Sequence, residues 1–166
     1  MPHIHRFPIA SQPVTVHGTQ VQRNFLHNVM ISYFDQHGVR DRYLHMFWGD
    51  RRYFVMTRPS IDALLDRCSV LQPYVPERFD CEDFARIFVA DAVRMVHYEA
   101  QAGLAIAKGS FTHDGGAHAL NIIFEWQRQP QEKIVVHFFE PIRHKLMTMA
   151  DLQADYQNVS FYHVSF

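Results

Sequence analysis

The hydrophobic pattern of the second half predicts one long helix followed by several strands. From about Cys81 to Gln101, apolar residues recur every three or four positions, which is the spacing of an amphipathic helix, and Gly103 follows as a stop. Four apolar segments beyond it predict strands, at residues 104–108, 119–126, 134–139 and 158–165. A core helix followed by antiparallel strands is typical of the α+β class, which is the fold class we expect.

The N-terminal part gives weaker signals. Residues 1–30 show little helical pattern, and the period-two alternation across residues 14–21 predicts a hairpin or extended arm. Residues 28–48 are rich in aromatic side chains and are compatible with helix or strand. Since no linker or repeat interrupts the chain, we expect a single domain over residues 1–166, with 1–30 as an N-terminal arm or hairpin.

Three shorter elements are also expected. Residues 53–57 form an apolar run that predicts a strand. Ser60 is expected to cap a second helix, whose apolar face includes Cys68. A short helix is expected at about residues 148–154. Because a free cysteine on an apolar helix face is most often buried, Cys68 is expected to be a core residue.

Composition excludes several classes of protein. The chain has 166 residues, 48% hydrophobic and 20% charged, with a net charge of −1, so it is neither disordered nor marked for binding nucleic acid. No apolar run reaches the ~20 residues of a transmembrane helix, and the first ten residues lack the apolar core of a signal peptide. Two cysteines make no disulfide framework. We therefore expect a cytoplasmic protein without a membrane partner.

Three residues could perform nucleophilic chemistry together. Cys81 stands at the predicted helix start, where free backbone N–H groups and the helix dipole favour a thiolate. His118 opens one predicted strand, and Glu140 closes the next. Nucleophile, base and orienting carboxylate are the three parts that covalent catalysis requires.

Side-chain alternation indicates which residues share a face of the predicted sheet. His118 and Glu140 are each in phase with apolar positions of their strands, and we expect that face to pack on the helix of Cys81. Asn121, three residues after His118, points to the opposite face, so Glu140 is the better orienter. The alternatives are that Cys81 and His118 are ordinary core residues and that Glu140 pairs with Arg143.

Three short motifs resemble a known family. Segments 79–85 (FDCEDFA), 116–121 (GAHALN) and 139–141 (FEP) are similar to signatures of papain-like cysteine peptidases. Within that family they most resemble the papain-like domains of the fairy-ring mushroom agglutinin group and its bacterial and phage relatives. The resemblance covers about half of the chain, residues 74–141.

The resemblance implies a fold and an activity. The fold would be half helical and half barrel, with a core helix carrying Cys81 against an antiparallel sheet. The activity would be hydrolysis of peptide or amide bonds by a Cys81–His118–Glu140 triad, with a peptide or protein as substrate. A second similar family is the NlpC/P60 group of cell-wall peptidases, although these usually follow the cysteine with Ser-Gly, where this chain has Glu82-Asp83.

Two departures from the family pattern bear on the chemistry. Papain-like enzymes often place an oxyanion-binding Gln a few residues before the cysteine, and here the nearest is Gln72. Asp80, Glu82 and Asp83 crowd the nucleophile with negative charge, which opposes a thiolate unless a cation offsets it. The agglutinin group is calcium-dependent, and these hard oxygen ligands suit calcium. The alternative is that the three acids only cap and decorate the helix start.

A non-catalytic function is the main alternative to a peptidase. The chain could be an inactive papain-like binding or structural module, for example a component of a phage particle. In that case the aromatic first half and the proline-containing arm would mediate assembly, including a homo-oligomer through the N-terminal region. No cofactor is required by the sequence, and calcium is the one that the acidic residues suggest.

Overall fold

The structure is a computed structural model that describes residues 14–68, 80–97 and 102–166. The helices in these residues are α1 (Arg23–Gln36), α2 (Arg58–Leu65), α3 (Cys81–Met95) and α4 (Met149–Asp155). The strands are β1 (Val14–Thr15), β2 (Gly18–Gln22), β3 (Arg40–Phe47), β4 (Arg52–Met56), β5 (Val96–His97), β6 (Gly103–Leu104), β7 (Ile106–His113), β8 (Gly116–Gln127), β9 (Lys133–Glu140), β10 (Lys145–Met147) and β11 (Ser160–Ser165).

One mainly antiparallel sheet organises these elements. Its central order is β10-β9-β8-β7-β11-β3, and β4 pairs with the end of β8 and also carries β2 and β6. β7, β8 and β9 form an antiparallel meander, whereas β3 runs parallel to β11. The turn between β7 and β8 ends at Gly116, whose φ of 123° lies in the region that favours glycine. The sequence therefore predicted the α+β class correctly.

Apolar clusters cover both faces of the sheet. Even-numbered β8 residues such as Ile122 and Phe124 pack with the buried sides of α1 and α4. On the opposite face, Ile123 of β8 and Phe139 of β9 pack with α2 and α3. The described residues thus form a sheet between two helical layers, and not the helical half beside a half-barrel that the family resemblance implied.

The long helix is shorter than its hydrophobic pattern predicted. α3 begins at Cys81 as expected, but it ends at Met95, well before Gly103, because Val96 and His97 leave the helix to pair with β1. The predicted end at Gln101 lies outside the described residues. Apolar residues spaced three to four positions apart indicate a buried face. This spacing does not show where strand pairing ends the helix.

The N-terminal part differs most from its prediction. β1 and β2 do not form a hairpin, because β1 pairs with β5 and β2 pairs with β4. A side chain at Gly18 would place its Cβ 2.1 Å from the Val55 carbonyl oxygen, so only glycine lets β2 approach β4 this closely. The first thirteen residues of the predicted arm lie outside the described residues.

Two helix predictions also need correction. α1 was not predicted, because it buries only Leu26, Met30 and Phe34 within a polar and aromatic segment. Ser60 does not cap α2, which starts after Thr57, because Pro59 fits within the first helical turn. The Ser60 hydroxyl instead accepts a hydrogen bond from the His17 backbone N–H at 2.8 Å.

No helix of the described residues is long and apolar enough to cross a lipid bilayer.

Candidate functional site

Cys81 occupies the first position of α3. Asp80 is the N-cap, and its Oδ1 accepts a hydrogen bond from the Glu82 backbone N–H at 3.0 Å. The start of a helix carries partial positive charge, and Cys81 lies at this end of α3. Cys81 is partly exposed, whereas Cys68 is buried as the sequence predicted. Burial raises the pKa of the Cys68 thiol to about 12, with a smaller contribution from the Asp91 charge.

The structure brings His118 and Glu140 into direct contact. His118 lies at the third position of β8, and Glu140 is the last residue of the neighbouring strand β9. The His118 Nε2 atom is 2.5 Å from Glu140 Oε2. The side chain of Cys81 lies close enough to the same imidazole to raise its pKa. Cys81, His118 and Glu140 therefore form one connected cluster.

Glu140 is held as a buried acceptor. The residue is 1% exposed. Its Oε2 faces His118, while Oε1 accepts a hydrogen bond from the Ile142 backbone N–H at 3.2 Å. Arg143 does not form the alternative ion pair with Glu140, since its guanidinium contacts Asp155 and Tyr156. A buried carboxylate with several donors and no other cation is suited to hold a protonated imidazole.

The surroundings of His118 favour its charged form. Burial on its own would lower the pKa of His118. Hydrogen bonds to Cys81 and Glu140, together with the negative charges of these two groups, outweigh burial and raise the pKa from 6.5 to about 9. An imidazole beside a thiol is the pairing that nucleophilic sulfur chemistry requires.

The alternation rule was right about which residues share a face and wrong about which helix covers it. Asn121 points to the α3 side, where its Nδ2 donates to the Ala85 carbonyl oxygen at 2.9 Å. His118 and Glu140 lie on the other side, against Phe111 and Tyr156. Side-chain alternation shows only which residues share a face of the sheet. Cys81 still reaches the His118 imidazole because it is the first residue of α3.

The three acids beside Cys81 already have protein partners. Asp80 caps the helix, Glu82 Oε1 lies 3.2 Å from the buried Lys108 ammonium, and Arg86 pairs with Glu82 at 3.2 Å and Asp83 at 3.7 Å. Among the described residues, no group of three or more potential ligands is placed to hold a metal ion. Lys108 and Arg86 thus place positive charge beside Glu82 and Asp83.

Tyr156 is part of the cluster, although no sequence pattern indicated this. Its hydroxyl lies 3.0 Å from Glu140 Oε2 and 3.2 Å from His118 Nε2, and its ring stacks on the imidazole. It follows α4 and belongs to none of the three motifs, so no spacing or alternation connects it to His118. Gln72, predicted as an oxyanion donor, lies outside the described residues.

Comparison with known proteins identifies similar folds. No protein-family model matches the chain, and neither does any curated protein sequence. A solved complex of PSL1a with E64 matches 89% of the chain at 20% identity and a TM-score of 0.69. Polyporus squamosus lectin bound to the human-type influenza-binding epitope Neu5Aca2-6Galb1-4GlcNAc matches 89% at 23% identity and a TM-score of 0.65. The chain spans 51% and 49% of these two proteins, respectively.

These comparisons correct the predicted family. The similar structures are complexes of PSL1a and of a lectin, and neither is named as a peptidase, so the assignment to the papain-like cysteine peptidases was wrong, and the same applies to peptide hydrolysis as the function. A peptide or protein substrate is likewise unsupported. The motifs in segments 79–85, 116–121 and 139–141 are short, and short motifs describe the local geometry of a cluster better than they identify a family.

Proposed function

We propose that this chain is a thiol-reactive module of a lectin-like protein, in which Cys81 captures an electrophilic ligand. One observation carries the proposal: the His118 imidazole bridges the Cys81 thiol and the buried Glu140 carboxylate. This is a narrower function than the predicted hydrolysis, because it requires only that the thiol react.

The chemistry follows from the three groups. In the reactive form the proton of the thiol resides on His118, where Glu140 stabilises the imidazolium, and the Cys81 sulfur is a thiolate. The sulfur electron pair then forms a bond to the electrophilic carbon, and the electron pair of the broken bond departs with the leaving group. The backbone N–H groups at the start of α3 stabilise negative charge that develops on the reacting atoms.

Cys68 serves as an internal reference for this reaction. It is 4% exposed, and burial raises the pKa of its thiol to about 12. A thiol that is both inaccessible and protonated does not react at neutral pH. In the folded protein, a thiol reagent should therefore modify Cys81 and leave Cys68 unmodified.

Alkylation with iodoacetamide at pH 7.5, followed by peptide mapping, tests the proposal. We expect Cys81 to be modified first and His118→Ala to slow its modification by about tenfold or more. His37→Ala is the matched control, because its ring packs on Tyr33 at 4.4 Å, and its rate should stay within about twofold. Modification of Cys81 no faster than that of Cys68, or a rate unaffected by His118→Ala, would contradict the proposal.

The PSL1a complex suggests a second probe. Because that similar protein was solved with E64, preincubation of this chain with E64 should protect Cys81 from iodoacetamide. The Cys81→Ser variant has no thiol at position 81 to alkylate. Binding of E64 to that variant is therefore measured by mass spectrometry. Unchanged alkylation of the native chain after saturating E64 would count against a shared ligand site.

Glycan binding is a second candidate function. It is favoured by the similarity to Polyporus squamosus lectin, which was solved with a sialylated glycan. The described residues include an open groove of about 460 Å³ where aromatic and polar side chains meet, lined by Thr19, Gln20, Val21, Gln22, Phe25, Trp126, Glu132, Lys133 and Ile134. Titration with Neu5Aca2-6Galb1-4GlcNAc should change Trp126 fluorescence, and Phe25→Ala should weaken the change. No response at millimolar glycan would contradict this candidate.

A further inference from the structure

Tyr156 lies on the Nε2 side of His118, where the imidazole meets Glu140. Its hydroxyl is within hydrogen-bond distance of both, at 3.2 Å from His118 Nε2 and 3.0 Å from Glu140 Oε2. Its ring is stacked on the imidazole, with 5.1 Å between centroids and 26° between planes. The residue is only 8% exposed, so it covers this contact from solvent.

The partners of Tyr156 fix the direction of each hydrogen bond. Arg143 Nη2 lies 3.2 Å from the tyrosine oxygen, and a guanidinium can only donate. The tyrosine oxygen therefore accepts from Arg143, and its single hydrogen is directed to Glu140. An ionised carboxylate can only accept, so His118 Nε2 must carry a hydrogen as well. This assignment leaves His118 Nδ1 as the ring nitrogen for the Cys81 thiol.

We propose that Tyr156 is a positioning residue that fixes the orientation of the His118–Glu140 pair through its Arg143-polarised hydroxyl. The inference rests on the proposed function, since it assigns the geometry that turns His118 toward Cys81. It predicts that the hydrogen shared by His118 Nε2 and Glu140 is shielded from water by Tyr156. That shielding can be measured whether or not Cys81 reacts.

The chain offers a matched pair of cationic residues for the test. Arg143 and Lys145 both contact Asp155 Oδ2, at 3.3 and 2.8 Å. Only Arg143 also reaches the Tyr156 hydroxyl. Arg143→Met and Lys145→Met each remove one cation from the same aspartate, and they differ in whether Tyr156 loses its donor. Tyr53→Phe is a further control, because it removes another buried tyrosine hydroxyl, which accepts from the Asp50 N–H.

The measurement is the hydrogen-exchange rate of the His118 Nε2–H in ¹⁵N-histidine-labelled protein at pH 7, with the signal assigned by its loss in His118→Gln. Tyr156→Phe keeps the stacked ring and removes the hydroxyl, and we expect exchange to become about tenfold faster. Arg143→Met should accelerate exchange to a smaller extent. Lys145→Met and Tyr53→Phe should leave the rate within about twofold of the native value.

Two results would overturn the inference: no resolvable His118 Nε2–H signal in the native protein, or an exchange rate within about twofold of native in Tyr156→Phe. Cys81 alkylation, measured on the same variants, separates this inference from the proposed function. Tyr156-dependent exchange with an unreactive Cys81 would support the positioning role and refute the thiol function. Tyr156-independent exchange with a reactive Cys81 would do the reverse.

Discussion

Folding stability should fall as the pH rises through the titration of His118. The pKa of this group is 6.5 when unfolded and about 9 in the fold, where hydrogen bonds and negative charge outweigh burial. A pKa raised by folding stabilises the protein fully below the unfolded value and loses its contribution as the pH passes the folded value. His118 should therefore stabilise the fold below pH 6.5 and cease to do so above about pH 9.

The size of the effect follows from the shift. The difference between 6.5 and about 9 is about 2.5 pH units, which corresponds to about 3 kcal/mol. The side chain is 16% exposed, so solvent screens this interaction little. Urea unfolding of the native protein and of Glu140→Gln at half-unit steps from pH 6 to 9 gives the two curves. Subtracting one curve from the other removes the contribution of Cys68 to the free energy of unfolding. That contribution declines at high pH because the fold raises the pKa of Cys68.

We expect the native protein to lose stability relative to Glu140→Gln across this range, because the amide cannot hold the imidazolium. The difference between the two slopes should stay below about 1.4 kcal/mol per pH unit, because the contribution of Cys81 to the pKa of His118 remains in Glu140→Gln. Identical slopes for the two proteins, or a native stability that rises with pH, would refute the assignment of a charged His118 bound to Glu140.

Three further predictions concern the surroundings of Cys81. Lys108→Met should slow Cys81 alkylation several-fold by leaving Glu82 without its buried cation, whereas Lys108→Arg should restore most of the rate; equal rates in all three proteins would contradict this. Phe88→Ala should lower the free energy of unfolding by about 3–5 kcal/mol in urea, since Phe88 is fully buried against Phe139, and a loss below about 1 kcal/mol would show that α3 packs elsewhere. Alkylation of Cys81 should be equal in calcium and in chelator, because Lys108 already neutralises Glu82; a calcium-dependent rate would support the metal site.

The parts of the fold predicted well are those with strong periodic burial. α3 packs one face on the sheet over four turns, and β8 and β9 are buried on both sides, so their apolar runs stand out. α1 was missed because its three buried residues are dispersed among polar and aromatic neighbours. Strand partners were also missed, since alternation identifies a strand and contains no information on the strand beside it.

The site was predictable only where local structure defines it. A cysteine at a helix start and a histidine at a strand start can be recognised from pattern, and the structure places Cys81 and His118 in contact. Tyr156 and Lys108 could not be found this way, because each reaches the cluster through tertiary packing of a distant segment. The peptidase family, inferred from the same short motifs, required a comparison of whole folds for its correction.

The central claim is that His118 is a cation held between Cys81 and Glu140 at neutral pH. NMR titration of the His118 ring nitrogens in the native protein tests it most directly, with Cys81→Ser and Glu140→Gln as the paired variants. We predict a midpoint near pH 9 in the native protein and a lower midpoint in each variant, because each removes one of the groups that raise the pKa of His118. A native midpoint at the ordinary histidine value of 6.5, unchanged in both variants, would contradict the account.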